Sequence, residues 1–177
     1  MSIRTLVPTV LALVTFLFLA ACQRDEITAS QLEPEGELQM TLGMIKPNAV
    51  RDNNVGAIIA KIEKNGLRVS GLKMIQFSPE RAQQFYLAHK DRPFYSDLVN
   101  FMSSGPVVVI AIEGNHAVAR FRELVGATDP SKAAAGTIRK EFARSVTENA
   151  IHGSDSSEAA QAEIDFFFRQ DDLFKRR

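Results

Sequence analysis

Apolar and polar residues alternate or cluster along the chain in ways that predict three strands of a β-sheet. Residues 40–44 alternate between apolar and small or polar side chains, a period of two that Pro47 ends. Residues 107–112 form the most apolar and β-branched run, which is typical of a central strand buried on both faces. A further strand is predicted over residues 67–77. Because its apolar phase changes at Gly71, we expect a β-bulge there.

Apolar residues spaced three and four positions apart predict helices between these strands. We expect Asn54, Ser78 and Asn115 to stand at helix N-termini as capping residues. Gly126 should end the third of these helices, because glycine adopts the left-handed conformation that commonly follows a helix. A last amphipathic helix is predicted from about residue 156 to residue 168.

The order of the predicted elements indicates the fold class. Strand, helix, strand, helices, strand and helix follow one another, and a loop-rich connection over residues 127–149 then contains one helical turn near residues 137–142. A connection this long inside a compact domain is usually functional. A fourth, short strand would have to lie within or after it. We therefore predict an α/β (α+β) fold with the ferredoxin-like βαββαβ order, in which helices cover a four-stranded antiparallel sheet.

The N-terminal part of the chain has a different pattern. An apolar run over residues 6–21 follows Arg4; it is short for a membrane span but fits the core of a signal peptide. It ends in LAAC, which resembles the lipobox of bacterial lipoproteins, and Cys22 is the only cysteine. We expect a lipoprotein signal peptide over residues 1–21 and a flexible tether with a lipidated Cys22 over residues 22–37. The alternative is an uncleaved anchor helix.

These expectations place the mature chain in the bacterial cell envelope, anchored through lipid and facing the periplasm. Gln23 after the cysteine favours the outer membrane over the inner one. The alternative is a cytoplasmic protein whose true start lies downstream of this segment, but the lipobox-like ending at the only cysteine argues against it. The folded domain is expected over residues 38–168, followed by a charged C-terminal tail over residues 169–177.

Composition and charge narrow the classes of function. Hydrophobic residues make up 45% and charged residues 24% of the chain, which is ordinary for a globular protein. Lysine plus arginine and aspartate plus glutamate both total 21, so we expect no nucleic acid partner. The sequence contains neither a P-loop motif nor the Gly-x-Gly-x-x-Gly fingerprint, and no histidine pair has zinc spacing. If a nucleotide binds, it does so without the usual phosphate loop.

One histidine stands in a setting that suits phosphoryl transfer. His152 precedes Gly153, and we expect a turn at this glycine to expose a nitrogen of the imidazole ring. A helix beginning near Ser154 would direct free backbone N–H groups toward the same space and attract an anion. Neutral imidazole is a nucleophile that is available near pH 7. Lysine and arginine bind phosphate oxygens, and five residues could converge on a phosphate chain: Lys46, Arg122, Thr128, Arg139 and Asn149.

Residues 38–168 closely resemble the nucleoside diphosphate kinases. The resemblance covers the whole predicted domain and includes several specific motifs, of which the last is close to diagnostic. The motifs are MIKPNA at 44–49, FY at 85–86, RPF at 92–94, SGPV at 104–107, LVGATDP at 124–130, GTIR at 136–139 and ENAIHGSDS at 148–156.

The resemblance implies a role for each matching residue. His152 matches the nucleophile that takes the γ-phosphoryl group onto Nδ1, Glu163 the carboxylate that orients it, and Ser154 the hydroxyl that hydrogen-bonds this carboxylate. Asp155 would assist Mg²⁺, the implied cofactor, which arrives mostly through the nucleotide phosphates. Phosphate and sugar contacts are implied for Lys46, Tyr86, Arg122, Thr128, Arg139 and Asn149, and a sandwich around the base for Phe94 and Val146.

The function implied is transfer of the γ-phosphoryl group of ATP or another NTP to a different NDP, by a ping-pong mechanism through phosphorylated His152. A base held by stacking would be tolerated broadly, because every base has a π face. The family also implies a homo-oligomer, either a tetramer or a hexamer. The alternative is a membrane-tethered nucleotide-binding or regulatory module that retains the kinase fold. The intact set of site residues favours the active enzyme. The expected export signal favours the alternative or an extracellular role, because nucleoside triphosphates should be scarce outside the cytoplasm.

Overall fold

The computed structural model describes Gly36 and residues 38–174, and its centre is a four-stranded antiparallel sheet. The strands lie in the order β2-β3-β1-β4, which confirms the predicted ferredoxin-like arrangement. The predicted signal peptide, Cys22 and all of the predicted tether except Gly36 lie outside the described residues. The strands are β1 (Leu38–Ile45), β2 (Arg68–Gln76), β3 (Pro106–Asn115) and β4 (Ile151–Gly153).

Seven α-helices of the described chain surround this sheet. Six lie where an element or a helical turn was predicted, whereas α1 was not predicted. It begins at Pro47, which suits a first helical position because proline has no N–H to leave unpaired. The helices are α1 (Pro47–Arg51), α2 (Val55–Lys64), α3 (Pro79–Phe85), α4 (Tyr95–Ser103), α5 (Ala117–Val125), α6 (Ile138–Phe142) and α7 (Ser157–Phe167).

The helices cover both faces of the sheet, so the described chain has two hydrophobic cores. On one face Ile45 and Ile110 pack with Phe121 of α5 and with α2. On the other face Met44 packs with Ile164 of α7 and with α3 and α4. Because β1 is a central strand, residues 41–45 are all buried, although their sequence alternates in polarity.

Of the three predicted helix caps, Ser78 is confirmed, Asn54 is confirmed in position only, and Asn115 was wrong. Ser78 caps α3 as expected, since its hydroxyl accepts a hydrogen bond from the Arg81 N–H. Asn54 does precede α2, but its side chain makes no capping hydrogen bond. Asn115 is the last residue of β3, and His116 precedes α5 in a left-handed conformation with φ of 52°.

The C-terminal segment packs on β2. The predicted β-bulge is confirmed between Val69 and Gly71. Beside it, the Phe174 N–H donates to the Ser70 carbonyl at 2.8 Å, and the Lys73 ammonium lies 2.7 Å from the Asp172 carboxylate. This ammonium lowers the pKa of Asp172 by hydrogen bonding. The part of the chain described here contains no helix that is long and apolar enough to cross a membrane.

Gly43 illustrates how tightly α5 approaches the sheet. It pairs with Gly153 across β1 and β4, and a Cβ atom added to Gly43 would lie 2.8 Å from Cζ of Phe121. We expect Gly43→Ala to lower the free energy of unfolding by about 1–3 kcal/mol, because the ring is fixed in the core. Urea denaturation measures this change.

The matched control is Gly56→Ala on the exposed side of α2, where a new Cβ atom would meet no other atom within 4 Å. This variant should be unchanged or more stable by up to about 1 kcal/mol. Equal stabilities of the two variants would contradict the packing described for Gly43.

Candidate active site

His152 lies on β4, opposite Met44 of β1, and not at the turn that we predicted at Gly153. The unusual backbone conformation comes two residues earlier, at Ala150, which has a φ of 66° in the left-handed region. The Ala150 carbonyl accepts a 2.8 Å hydrogen bond from the Lys46 N–H, which closes the end of the sheet. Strand pairing therefore brings His152 and Lys46 to the same end of the sheet, although they are far apart in the sequence.

A carboxylate and a hydroxyl hold one side of the imidazole ring. Oε2 of Glu163, on α7, lies 2.8 Å from Nε2 of His152 and 2.7 Å from Oγ of Ser154. Ser154 is buried, and its hydroxyl also accepts the Leu42 N–H. Because a carboxylate accepts hydrogen bonds, we assign the ring proton to Nε2. Nδ1 then keeps its lone pair, and it has no hydrogen-bond partner among the described residues.

Three cationic side chains line the same cavity. Arg139 donates to the carbonyls of Gly126 at 2.9 Å and Ile151 at 3.1 Å, and Arg122 donates to the Gly153 carbonyl at 3.4 Å. Neither arginine forms an ion pair with a carboxylate within the described part of the chain. Lys46 is buried and also lacks an ion pair there. Such a site attracts a polyanion.

Burial changes the acidity of these groups. Burial lowers the pKa of Lys46 to about 7, and the nearby Arg139 contributes in the same direction. Burial lowers the pKa of Arg139 to about 10, with Arg122 as the second cause. The pKa of Tyr86 is raised above its ordinary value, first by burial and then by the Glu163 carboxylate, so the phenol keeps its proton.

The cavity that these residues surround has a volume of about 520 Å³. Three buried polar atoms on its lining residues have no hydrogen-bond partner within the described chain: the hydroxyl of Tyr86, Nε of Arg139 and Oδ1 of Asn149. Buried polar groups are usually paired, so atoms like these indicate a ligand with polar groups. Phe94 and Val146 lie at the cavity with exposed fractions of 49% and 55%, which are high for large apolar side chains.

The structure brings almost all of the predicted site residues together. Ser154 lies behind the cavity, where it contacts Glu163. The other predicted residues line the cavity: Lys46, Tyr86, Phe94, Arg122, Thr128, Arg139, Val146, Asn149, His152, Asp155 and Glu163. Phe85 and His89 also line the cavity, although the sequence analysis assigned neither of them to the site. His89 lies in a 3₁₀ turn (Leu87–His89), and its position three residues after Tyr86 was a usable signal.

The long connection over residues 127–149 is fixed by ion pairs to α2 and to the end of α1. Lys61 of α2 contacts Glu141 at 2.8 Å and the Gly136 carbonyl at 2.9 Å. Arg144 pairs with Asp52 at 2.9 Å. These contacts hold in place the segment that supplies Thr128, Arg139 and Asn149 to the cavity.

A histidine with a free ring nitrogen, a carboxylate behind it and a cavity lined by one lysine and two arginines are the parts that a phosphotransferase needs. A sequence model of the family "Nucleoside diphosphate kinase" matches residues 39–173. Nucleoside diphosphate kinase 1 of Protochlamydia amoebophila is 55% identical over 138 residues, which are 78% of this chain and 98% of that protein. The Halorhodospira halophila enzyme is 51% identical over 139 residues, 78% of this chain and 99% of its own.

Two solved structures agree with these sequence relatives. The orthorhombic crystal form of the Aquifex aeolicus nucleoside diphosphate kinase has a TM-score of 0.76 and 42% identity, and covers 77% of this chain and 99% of its own. The Halobacterium salinarum enzyme in complex with CDP has a TM-score of 0.76 and 38% identity. It covers 80% of this chain and 94% of its own. The chain therefore belongs to the nucleoside diphosphate kinase family. Its activity is phosphoryl transfer from a nucleoside triphosphate to a nucleoside diphosphate.

The lowered pKa of Lys46 predicts that burying this side chain without a ligand lowers the free energy of unfolding. The size of this loss should depend on pH. The folded chain loses the Lys46 proton near pH 7, whereas the unfolded chain keeps it until about pH 10.5. The contribution of Lys46 to the free energy of unfolding therefore rises with pH between these two values. We expect Lys46→Met to raise the free energy of unfolding by a few kcal/mol at pH 6 and by much less at pH 9.5.

Chemical denaturation of the ligand-free protein at the two pH values measures the difference. Lys64→Met, at an exposed position of α2, is the matched control, and its effect should stay within about 0.5 kcal/mol at both. A gain for Lys46→Met that is the same at pH 6 and pH 9.5 would contradict the assignment.

Proposed function

We propose that this kinase works by double displacement, with Nδ1 of His152 as the nucleophile. The observation that carries the proposal is the pair of contacts at Glu163, which occupies Nε2 and leaves Nδ1 as the ring nitrogen available to a ligand in the cavity. In the first step the Nδ1 lone pair forms a bond to the γ-phosphorus, and the bond from that phosphorus to the β–γ bridging oxygen breaks. The nucleoside diphosphate leaves, and a second one reverses the step.

The cations stabilise the charge of this reaction. No proton has to move during attack, but the ring becomes positively charged when Nδ1 bonds to phosphorus. The Glu163 carboxylate, 2.8 Å from Nε2, stabilises that charge. Lys46, Arg122 and Arg139 are proposed to hold the phosphate oxygens, since positioning and charge stabilisation supply most of the catalysis in phosphoryl transfer.

The rest of the cavity is suited to a sugar and a base. We infer that Tyr86, Thr128 and Asn149 contact the phosphates and the sugar, because their polar groups line the cavity beside the cations. Phe94 and Val146 are proposed to hold the base between them, and their exposed apolar surface supports this. Stacking of this kind tolerates every base. The Halobacterium salinarum relative, in complex with CDP, supports nucleotide binding at this fold.

Mg²⁺ is proposed to enter with the nucleotide. In the described part of the chain, no three histidine, cysteine, aspartate or glutamate side chains are grouped so that they could hold a metal ion alone. This fits Mg²⁺, which usually binds substrate phosphates plus one or two carboxylates. Asp155 is exposed at the cavity, forms no ion pair with other described residues, and would supply that carboxylate. Bound there, the ion would neutralise charge on the phosphates.

We also propose a homo-oligomer, a tetramer or a hexamer, and a lipid anchor. Strand β2 is an edge of the sheet and exposes Leu72 by 47% and Met74 by 60%, which supports burial against a second copy. Sedimentation velocity tests the assembly.

The anchor and the envelope location rest on the sequence around Cys22, outside the described residues. Palmitate labelling that persists in Cys22→Ser would contradict them.

Initial rates test the double displacement. ATP and a different nucleoside diphosphate are varied together, and double-reciprocal plots should give parallel lines, because the first product leaves before the second substrate binds. Intersecting lines would indicate direct transfer between two bound nucleotides and would contradict a phosphohistidine intermediate. The measurement is made on the purified full chain with Mg²⁺ present.

A further inference from the structure

The imidazole of His152 touches two aromatic rings as well as the carboxylate. The Phe85 ring lies edge-on to it, with a centroid distance of 5.5 Å and an interplanar angle of 75°. The Tyr86 ring lies at 6.3 Å and 87°. Tyr86 matches a known position of the family motif, whereas no role has been given to Phe85 so far. Its ring is the nearer of the two.

Other aromatic side chains hold Phe85 firmly. Its ring lies 6.1 Å from that of Phe77, 5.6 Å from that of Phe166 and 5.1 Å from that of Phe167. Phe77 and Phe167 are buried in the core on the face of the sheet that α3 and α7 cover. Phe85 is also the last residue of α3, whose first turn is capped by Ser78. The ring is therefore a fixed surface that His152 meets.

The fixed Phe85 ring restricts the orientation of the His152 imidazole in a way that the hydrogen bond to Glu163 does not. The side chain holds Cγ and the bond to Glu163 holds Nε2, but the ring can still rotate about the line through these two atoms. Such a rotation would move Nδ1 sideways, and a misplacement of about 1 Å can cost about 100-fold in rate. Contact with a rigid aromatic ring on one side removes this freedom.

We propose that Phe85 is a positioning residue that fixes the plane of the His152 imidazole, so that Nδ1 faces the γ-phosphorus. The inference rests on the proposed function of His152 and refines it. Phe85 makes no bond to the substrate and acts only through the orientation of the nucleophile. Its replacement should therefore slow phosphorylation of the enzyme and leave nucleotide affinity nearly unchanged.

The experiment compares three variants by single-turnover phosphorylation with ATP in a quenched-flow instrument, together with ATP affinity. Phe85→Leu removes the ring and should slow phosphorylation about 10- to 100-fold, with affinity within about 3-fold. Phe85→Tyr keeps the ring and should restore the rate to within about 3-fold. Phe101→Leu removes a ring of α4 that packs against the same core, but among the described residues this ring has no contact with the Phe85 ring. It should phosphorylate at nearly the normal rate.

Each other result overturns the inference. A normal rate for Phe85→Leu would show that the ring is not needed, and an equal loss in Phe101→Leu would reduce the effect to general packing. Failure of Phe85→Tyr to restore the rate would exclude ring contact as the cause. Circular dichroism and thermal melting confirm that the variants are folded. Failure of the proposed function is distinguishable, since the unaltered enzyme would then give no phosphohistidine at all.

Discussion

Replacement of His152 by alanine should lower kcat/KM for phosphoryl transfer from ATP to a second nucleoside diphosphate by at least about 10⁴-fold. Loss of a covalent nucleophile typically has effects of this size, and His152 is the one histidine of the described residues that pairs with a carboxylate. Lys46, Arg122 and Arg139 do not depend on the imidazole for their contacts. Nucleotide affinity should therefore change by less than about 10-fold.

The matched control is His89→Ala. This histidine lines the same cavity, with its ring 6.3 Å from that of Tyr86 and 6.0 Å from that of Phe94, but it forms no ion pair with a carboxylate among the described residues. Its replacement should leave kcat within about 3-fold. A steady-state assay with both variants separates the two roles. More than a tenth of the normal activity in His152→Ala would contradict the nucleophilic role.

The second large effect is expected at Glu163. Glu163→Ala removes the negative charge 2.8 Å from Nε2 and leaves the Ser154 hydroxyl without its acceptor. The carboxylate opposes a positive charge that exists only after Nδ1 has attacked, so its loss should lower kcat more than it raises KM. We expect a fall in kcat of about 10²- to 10³-fold, comparable with removal of one preorganised electrostatic contact in other enzymes.

Two further variants make the test of Glu163 sharper. Glu163→Gln keeps a hydrogen-bond acceptor but not the charge, so it should lie between the alanine variant and the unaltered enzyme. Glu158→Ala removes an exposed carboxylate from the first turn of the same helix and should leave kcat within about 3-fold. A large rise in KM with normal kcat for Glu163→Ala would instead indicate a role in nucleotide binding.

Much of the fold could be predicted because its strands have strong local patterns. The β-branched run in β3 and the phase change at Gly71 both reflect burial that is visible within a few residues. Strand β4 could not be placed from its own sequence. It has only three residues, too few for a period, and it exists because His152 pairs with Met44 more than a hundred positions away. The turn predicted at Gly153 was wrong for that reason.

The caps show a different limit of sequence reasoning. Asn115 is a good capping residue, but β3 continues through it because Asn115 pairs with Leu38 at the end of β1. Long-range pairing thus overrides a local preference. The attachment of the C-terminal segment to β2 was equally hidden, since the hydrogen bond from Phe174 to Ser70 joins residues that share no motif.

The site residues were predicted from a resemblance in short motifs, and the structure shows what brings them together. Lys46, Arg139 and His152 stand on separate elements, and only the antiparallel pairing of β1 with β4 and the fixed long connection bring them to one cavity. Phe85 was missed because its role lies in a ring contact, for which the sequence has no signal beyond its position before Tyr86.

The central claim is that Nδ1 of His152 carries the phosphoryl group between two nucleotides. The most direct measurement is to incubate the purified enzyme with γ-labelled ATP and no acceptor, and to locate the label by ³¹P NMR and peptide mass spectrometry. The account predicts one acid-labile phosphate per active chain, on Nδ1 of His152, which is discharged completely when a nucleoside diphosphate is added. Label on Nε2, on another residue, or on no residue while turnover proceeds would contradict it.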